Sequence, residues 1–434
     1  MRLKSIQFFV LIVFTMVGVS NCILNSDFTD DITPDASTSI CSSYKTLLIF
    51  KSMAAFDGTD AVNAGPKNNV WAIYSDGTGK KALTTLTNTD AYMGAPSQQT
   101  DQITYSSKRA FDLSDSELAN SNFNVWVTDY SGVTHTAYTN YTTAGVYARV
   151  EDIDPNGLYI SIRSTAAFDG SDTANAGTTS NIWLINSDGS GAFALTQMTV
   201  GANIQSFFNH NSTQLVFRSN NTIDLANTTS TQWNIWKIDV DGTSRQALTT
   251  YGTATSTSQG KFFSSGTKIG YHTYAAFDGS DANNAGSKRN IWTMNSDGTG
   301  KLAITQNTTA TSNRSSLSNN GEKVYFYSQM ALNGTDTNSG VVNIWSANAD
   351  GTSKAPLTNL TNATADKFAE LPYSKIAYQS NRALDGTDAL NTNSTYNIWI
   401  MDLDGTNHTP ITSYTATNAH AYYNMRFGQT ICAD

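Results

Sequence analysis

The tripeptide Asn-[Val/Ile]-Trp occurs seven times, and its tryptophans are Trp71, Trp126, Trp183, Trp236, Trp292, Trp345 and Trp399. Successive tryptophans lie 55, 57, 53, 56, 53 and 54 residues apart. Six residues after each comes a glycine: Gly77, Gly132, Gly189, Gly242, Gly298, Gly351 and Gly405. Asp precedes six of these glycines and Ser131 precedes the other. Six residues further stands an apolar or aromatic residue followed by Thr, from Leu83-Thr84 to Ile411-Thr412. Two fixed offsets kept through seven copies mark one supersecondary unit, repeated so that neighbouring units bury each other.

The unit reads as four strands. Residues 181–186 (NIWLIN) are apolar without alternation, as in a strand buried on both faces. The following SDGSG makes a tight turn in which Gly supplies a positive φ. A short strand ending in Leu-Thr then returns as the outer edge. Upstream of each Trp lies a β-rich run, such as TLLIFKS from Thr46, LYISIRS from Leu158 and KIAYQS from Lys375. From the second copy onward a weaker strand candidate precedes that run. Four strands in about 55 residues match one blade of a β-propeller. A helical solenoid would need a 3.6-residue period, which the repeats lack. The expectation is an all-β, seven-bladed propeller with four-stranded blades and each Trp packed between neighbouring blades. Only 14 % of the residues are charged, and the abundance of Gly, Asn, Thr and Ser suits short strands joined by tight turns.

The first copy has no strand ahead of TLLIFKS, and the last is followed by an extra run, AHAYYNMRF at 419–427. That run is expected to serve as the innermost strand of blade one, closing the ring with the C-terminal strand. Cys41 and Cys432 would then flank a missing hairpin, and we expect them to form a disulfide. The alternative is two terminal thiols. A loop of about 390 residues closed in this way is worth up to roughly 5 kcal/mol in a chain-entropy account.

The repeat I-W-x-x-N-x-D-G-T followed by L-T resembles the WD40-like propeller repeat of the TolB proteins, over residues 44–430. The same repeat type occurs in the propellers of prolyl-oligopeptidase-like enzymes. The resemblance implies the fold and, through TolB, an envelope protein with protein partners. TolB proteins have six blades and an additional N-terminal α/β domain, so the resemblance does not extend to a Tol-system role.

Residues 1–21 read as an export signal: Arg2 and Lys4 precede an apolar run at 6–19 that is short for a membrane span. The sequence V-S-N-C resembles a bacterial lipobox, in which Cys22 would be lipidated; Asn21 departs from the usual small residue, as in spirochaetal lipoproteins. An ordinary signal peptide with an incidental Cys is the alternative. Residues 22–43 are polar and acidic and read as a tether, leaving 44–434 for the propeller. The expected location is the cell envelope, with the chain anchored to the outer membrane by lipid alone.

A second motif, A-F-D-G-[Ser/Thr]-D, lies between the upstream strand and the Trp strand. It supplies Asp57, Asp60 and Asn63 in blade one, and Asp169, Asp172 and Asn175 in blade three. Asp278, Asp281 and Asn284 stand in blade five, and Asp385, Asp388 and Asn391 in blade seven. Blade six has Asn333 and Asp336, blade two Asp112 and Asp115, and blade four only D-L-A-N at Asp224. Hard oxygen donors at this spacing suit Ca²⁺. The same side chains equally suit backbone capping, as in Asx-turns. Either job puts these loops on one face of the disk, an acidic and amide-rich rim expected to be the interaction surface.

The net charge of −9 argues against nucleic acid as a partner. Neither G-x-S-x-G nor H-E-x-x-H is present, and His135, His210, His272, His408 and His420 fall in different blades. No catalytic residue is assigned. The expected role is a monomeric, non-enzymatic scaffold that binds an envelope or extracellular protein or a glycan. The alternative is a channel-site enzyme such as a propeller-type polysaccharide lyase, which would cluster His and acids at the channel mouth, with His420 as one candidate.

Overall fold

A computed structural model of the chain describes residue 41 and residues 43–433, apart from 225–226, 253–256, 263–265 and 319–320. The signal segment, Cys22 and the tether to residue 40 lie outside the described residues. Seven four-stranded antiparallel sheets make the seven blades of a β-propeller. Blade three shows the plan, with Ala148–Ile153 innermost, then Tyr159–Ser164, Asn181–Asn186 and the outer edge Phe193–Ala194.

Blade one is assembled from both ends of the chain. Its sheet runs Tyr422–Cys432, Tyr44–Ser52, Asn69–Tyr74 and Lys81–Ala82. Tyr44 pairs with Cys432, Phe50 with Tyr423 and Lys51 with Tyr422. The closing strand thus starts later and runs further than the 419–427 stretch read from the sequence. Just ahead of it the Ala421 amide donates to Tyr396 O of blade seven, at 2.9 Å, as the chain crosses into blade one. Its end is extended by pairing of residues 430–432 with the start of Tyr44–Ser52. A disulfide joins Cys41 and Cys432, with Cα atoms 5.7 Å apart.

The core is divided among the blade interfaces. Trp126 packs with Val70, Ala72 and Leu83 of blade one, and Trp71 with Ile398, Ile400 and Tyr414 of blade seven. The other five tryptophans likewise face the blade before their own. All seven are at most 2 % exposed, so each is an inter-blade anchor.

The Asn ahead of each Trp has an equally repeated job. Asn181 Oδ1 accepts from the Thr196 hydroxyl at 3.0 Å and from Met198 N at 2.9 Å, while its Nδ2 donates to Met198 O at 2.9 Å. Thr196 Oγ1 in turn accepts from Ile182 N at 2.9 Å. The outer strand has only two ladder residues, and this buried network fixes where it ends. The Asp-Gly turns use a side-chain cap, as where Thr78 N donates to Asp76 Oδ1 at 2.9 Å beside Gly77 at φ +84°. Blade two tolerates Ser131 because Asp129 takes over and accepts from Gly132 N at 2.9 Å.

This connectivity gives the disk two faces. The Asp-Gly turns and the hairpins between first and second strands form the hairpin face. The A-F-D-G loops and the crossovers between blades form the loop face.

Candidate functional site: the loop face and the channel mouth

The two carboxylates of the repeated loop do different things. The first closes its own turn: Asp57 Oδ1 accepts from Thr59 N, Asp169 from Ser171 N, Asp278 from Ser280 N and Asp385 from Thr387 N, each at 2.9 Å. These donors hold the exposed carboxyls below the usual carboxylate range. Asp112 and Asn333 do the same in blades two and six.

The second carboxylate reaches across to the crossover loop of the preceding blade. Asp172 accepts from the amides of Thr142 and Thr143, Asp388 from Thr361, Asn362 and Ala363, and Asp281 from Gly252. Asp115 and Asp336 form the same clasp in blades two and six. Asp60 closes the ring of clasps by accepting from Thr415 and Ala416, at the end of blade seven. In blade four Asn227 takes the place of the acid and accepts from Thr199 N at 3.0 Å. The loop Asn residues turn inward: Asn63, Asn175, Asn284 and Asn391 are buried, and the first three bond the backbone at both ends of their own loops, while Asn391 bonds Thr395 O in its loop and Tyr414 O beyond the outer strand. At least one oxygen of each of these aspartates therefore accepts an N–H bond. Among the described residues no three of His, Cys, Asp and Glu come together.

Inside this ring of clasps the charge changes sign. One step below the loop face the innermost strands pair Tyr422 with Lys51, Arg149 with Arg163 and Ile204 with Arg218. The cations lie on aromatic rings. Arg149 sits 3.8 Å from the ring centre of Phe123, and Lys51 sits 5.6 Å from Tyr92 and 5.3 Å from Tyr422. Lys367 approaches Tyr422 at 5.4 Å, Arg218 approaches Trp233 at 4.2 Å and Arg289 approaches Tyr274 at 5.5 Å. These contacts are cation–π pairs, which place positive charge without requiring an acid beside it. The groups also feel one another: burial and then Arg289 bring Arg218 down to about 10, while burial and then Lys367 lower Lys51. Between blades two and three a cleft of about 480 Å³ opens, lined by Asn120, Asn122, Phe123, Tyr147, Arg149 and Arg163.

Arg426, from the closing strand, crosses to blade three and pairs with Asp152 at 2.9 Å, while also donating to Glu151 O. Burial raises the Asp152 and Glu151 carboxyls, and Arg426 and Arg163 respectively oppose it. Arg163 contacts Glu151 at 3.2 Å.

The histidines do not converge on this mouth as a set. His135 and His408 bond Tyr105 and Tyr378 through Nδ1, beside the outer edges of their blades. His420 Nδ1 accepts from Tyr396 N at 3.0 Å. His272 is buried, and desolvation followed by Arg289, Arg314 and Arg218 drives it down to about 3. It is neutral at ordinary pH.

The cationic mouth is the feature that repeat reading missed. Its signal was the residue just before the Ser or Thr that ends each second strand: Lys51, Arg163, Arg218 and His272 interrupt otherwise apolar runs.

No protein-family model and no curated protein matches the chain. Solved propeller structures do resemble it. TolB from Acinetobacter baumannii is 15 % identical with a TM-score of 0.44, over 72 % of this chain and 63 % of that one. An oligogalacturonate lyase from Vibrio parahaemolyticus is 10 % identical with a TM-score of 0.49, over 85 % of each. A puromycin-hydrolysing peptidase from Mycobacterium tuberculosis is 11 % identical with a TM-score of 0.51, over 76 % of this chain and 48 % of that one. The chain thus spans less than two thirds of the length of the TolB and peptidase chains. At such identities the likeness is one of fold.

Proposed function

We propose that this chain is an exported, lipid-anchored and non-enzymatic binding propeller, which engages a protein or glycan in the cell envelope through its loop face. The observation that supports this reading is the construction of that face. Seven clasps tie its loops to the neighbouring blades around a mouth that carries a cleft, and a surface ordered before the partner arrives loses less entropy on binding. A channel-site enzyme would need an acid–base or metal-ligating set at the mouth. Of the five histidines, two are bonded to tyrosines, one accepts from a backbone amide, one is buried among cations, and His210 lies in a hairpin on the opposite face.

The chain enters blade one at Tyr44, on the hairpin face. A lipid on Cys22 would therefore draw the hairpin face toward the membrane and turn the loop face away from it. Membrane fractionation tests the anchor: Cys22→Ser should move the protein into the soluble fraction, and retention at the membrane would overturn the lipoprotein reading. Crosslinking in intact cells from a photoreactive residue at Ser121 on the loop face should capture a partner that a probe at Gly157, on the hairpin face, does not. Equal capture from both faces would overturn the assignment of the binding surface.

We propose capping rather than Ca²⁺ binding for the repeated aspartates, because each already caps backbone N–H groups through at least one oxygen. The melting temperature should be the same in calcium and in chelator. A calcium-dependent rise abolished by Asp57→Ala would reverse this assignment.

A further inference from the structure

We infer that the channel mouth on the loop face is a docking site for an acidic peptide segment of the partner. This rests on the binding-scaffold reading and deepens it by naming the ligand chemistry.

The protein as a whole is acidic, with 35 Asp and Glu against 26 Lys and Arg. A group of its cations nevertheless lies where the blades meet the axis. Lys51 of blade one, Arg149 of blade three, Arg218 of blade four, Arg289 of blade five and Lys367 of blade seven all lie on aromatic rings near the innermost strands. Like charges brought this close repel each other, and burial adds to the cost: Lys51 is lowered by burial and by Lys367, and Lys367 by burial and by Arg314. The carboxylates at the same level are fewer. Glu151 is taken by Arg163, Asp366 lies beside Lys367, and Asp90, which acts on Lys51, accepts from Asn68. The outward-facing first aspartates form an anionic rim outside the collar. Such a radial arrangement steers an anion toward the axis and rejects it at the periphery.

The geometry favours a peptide over a sugar chain. Lectin-like recognition of a sugar needs a bare aromatic face, whereas these rings already carry cations: Tyr92 carries Lys51 and Arg149, and Tyr422 carries Lys51 and Lys367. The rings act as supports and leave charge as the recognising feature. Cations presented from five blades suit several carboxylates spaced along one flexible strand. Below them Arg426 of the closing strand reaches Asp152 of blade three and adds one more cation, already paired, beneath the mouth.

The test is calorimetric titration of the mature chain with a hexaglutamate peptide, with oligogalacturonate and with inorganic phosphate, at low and at physiological salt. The peptide should bind, and its affinity should fall at least tenfold as salt rises. Lys51→Gln and Lys367→Gln, made singly, should each weaken it at least fivefold with unchanged melting temperature, while Lys301→Gln, just ahead of the outer strand Leu302–Ala303, should not. No peptide binding, or binding indifferent to both mouth substitutions, overturns the proposal. Binding of oligogalacturonate in preference to the peptide overturns it in favour of an acidic glycan, and phosphate competing at equal strength overturns it as non-specific anion binding. Partner crosslinking from the loop face that survives both mouth substitutions would sink this inference and leave the scaffold reading standing.

Discussion

At the residue scale, the protein spends its aspartates on its own backbone. Asp336 is the clearest case. Burial works to raise its carboxyl, but the amides of Ala310 and Thr308 and the Thr308 hydroxyl outweigh burial and hold it at about 2. A carboxyl depressed in the folded state stabilises the protein fully above its ordinary value of 3.8 and loses that contribution as pH falls toward 2. Asp336→Ala should therefore lower stability by about 1–2 kcal/mol at pH 6, less than a fully buried charged acceptor would, because solvent screens the loop. The gap in melting temperature between wild type and variant should close between pH 4 and pH 2. A gap independent of pH would mean that the side chain acts by packing. Blade four supplies an internal control, since Asn227 does the same work without a charge. Asp172→Asn should accordingly be milder than Asp172→Ala in thermal unfolding. The sequence displayed these aspartates but not their targets. Asp60 bonds residues more than 350 positions away, and nothing local in A-F-D-G-T-D points to the crossover of another blade.

At the element scale, each blade is held by one indole and one amide. Trp292 lies among Ile235, Leu248 and Tyr251 of the preceding blade, and Trp292→Ala should cost about 3–5 kcal/mol, measured by denaturant unfolding. Trp233, the eighth tryptophan, carries Arg218 at the channel mouth and lies outside the seven clusters' anchoring set, so Trp233→Ala should cost far less. Comparable losses would show that the mouth also contributes to the core. Asn343→Ala removes partners from Leu360 N, Leu360 O and the Thr358 hydroxyl, all buried, and should cost about 1–3 kcal/mol for each group left unsatisfied. The blades were legible because N-[Val/Ile]-W and D-G recur at fixed offsets, and an unbroken apolar strand has only one sheltered place in a propeller. The mouth was not, because the innermost strands are bulged. Register shifts between Ile204 and Phe207, and between Val150 and Asp152, break the period-2 pattern that would have marked the channel-facing side chains.

At the scale of the whole molecule, blade one differs in kind from the other six. In each of those the first and second strands are joined by a hairpin, and the chain also runs on from every blade into the next. The seam of the ring lies inside blade one, where the first and second strands come from opposite ends of the chain. The closing strand Tyr422–Cys432 pairs with Tyr44–Ser52 across a ladder with two register shifts, and Trp71 enters a cluster shared with blade seven. Tyr44 stacks on Tyr373 with ring centres 4.0 Å apart on the hairpin face, and Asp60 clasps Thr415 on the loop face. The Cys41–Cys432 bond then ties the end of the ladder covalently, enclosing a sequence separation of 391 residues. Its contribution in a chain-entropy account is at most about 5 kcal/mol, and it acts mainly by restricting the unfolded chain. Reduction should therefore lower the melting temperature without changing the folded structure, whereas deletion of 422–434 should remove a strand and expose the blade-one edge. Near-ultraviolet circular dichroism with and without reductant separates the two cases. An unchanged spectrum with a lower melting temperature supports a covalent lock on a ring already closed by hydrogen bonds. A collapsed spectrum on reduction alone would instead mean that the terminal strand docks only because the disulfide holds it there, and the repeats by themselves would then not suffice to make the ring.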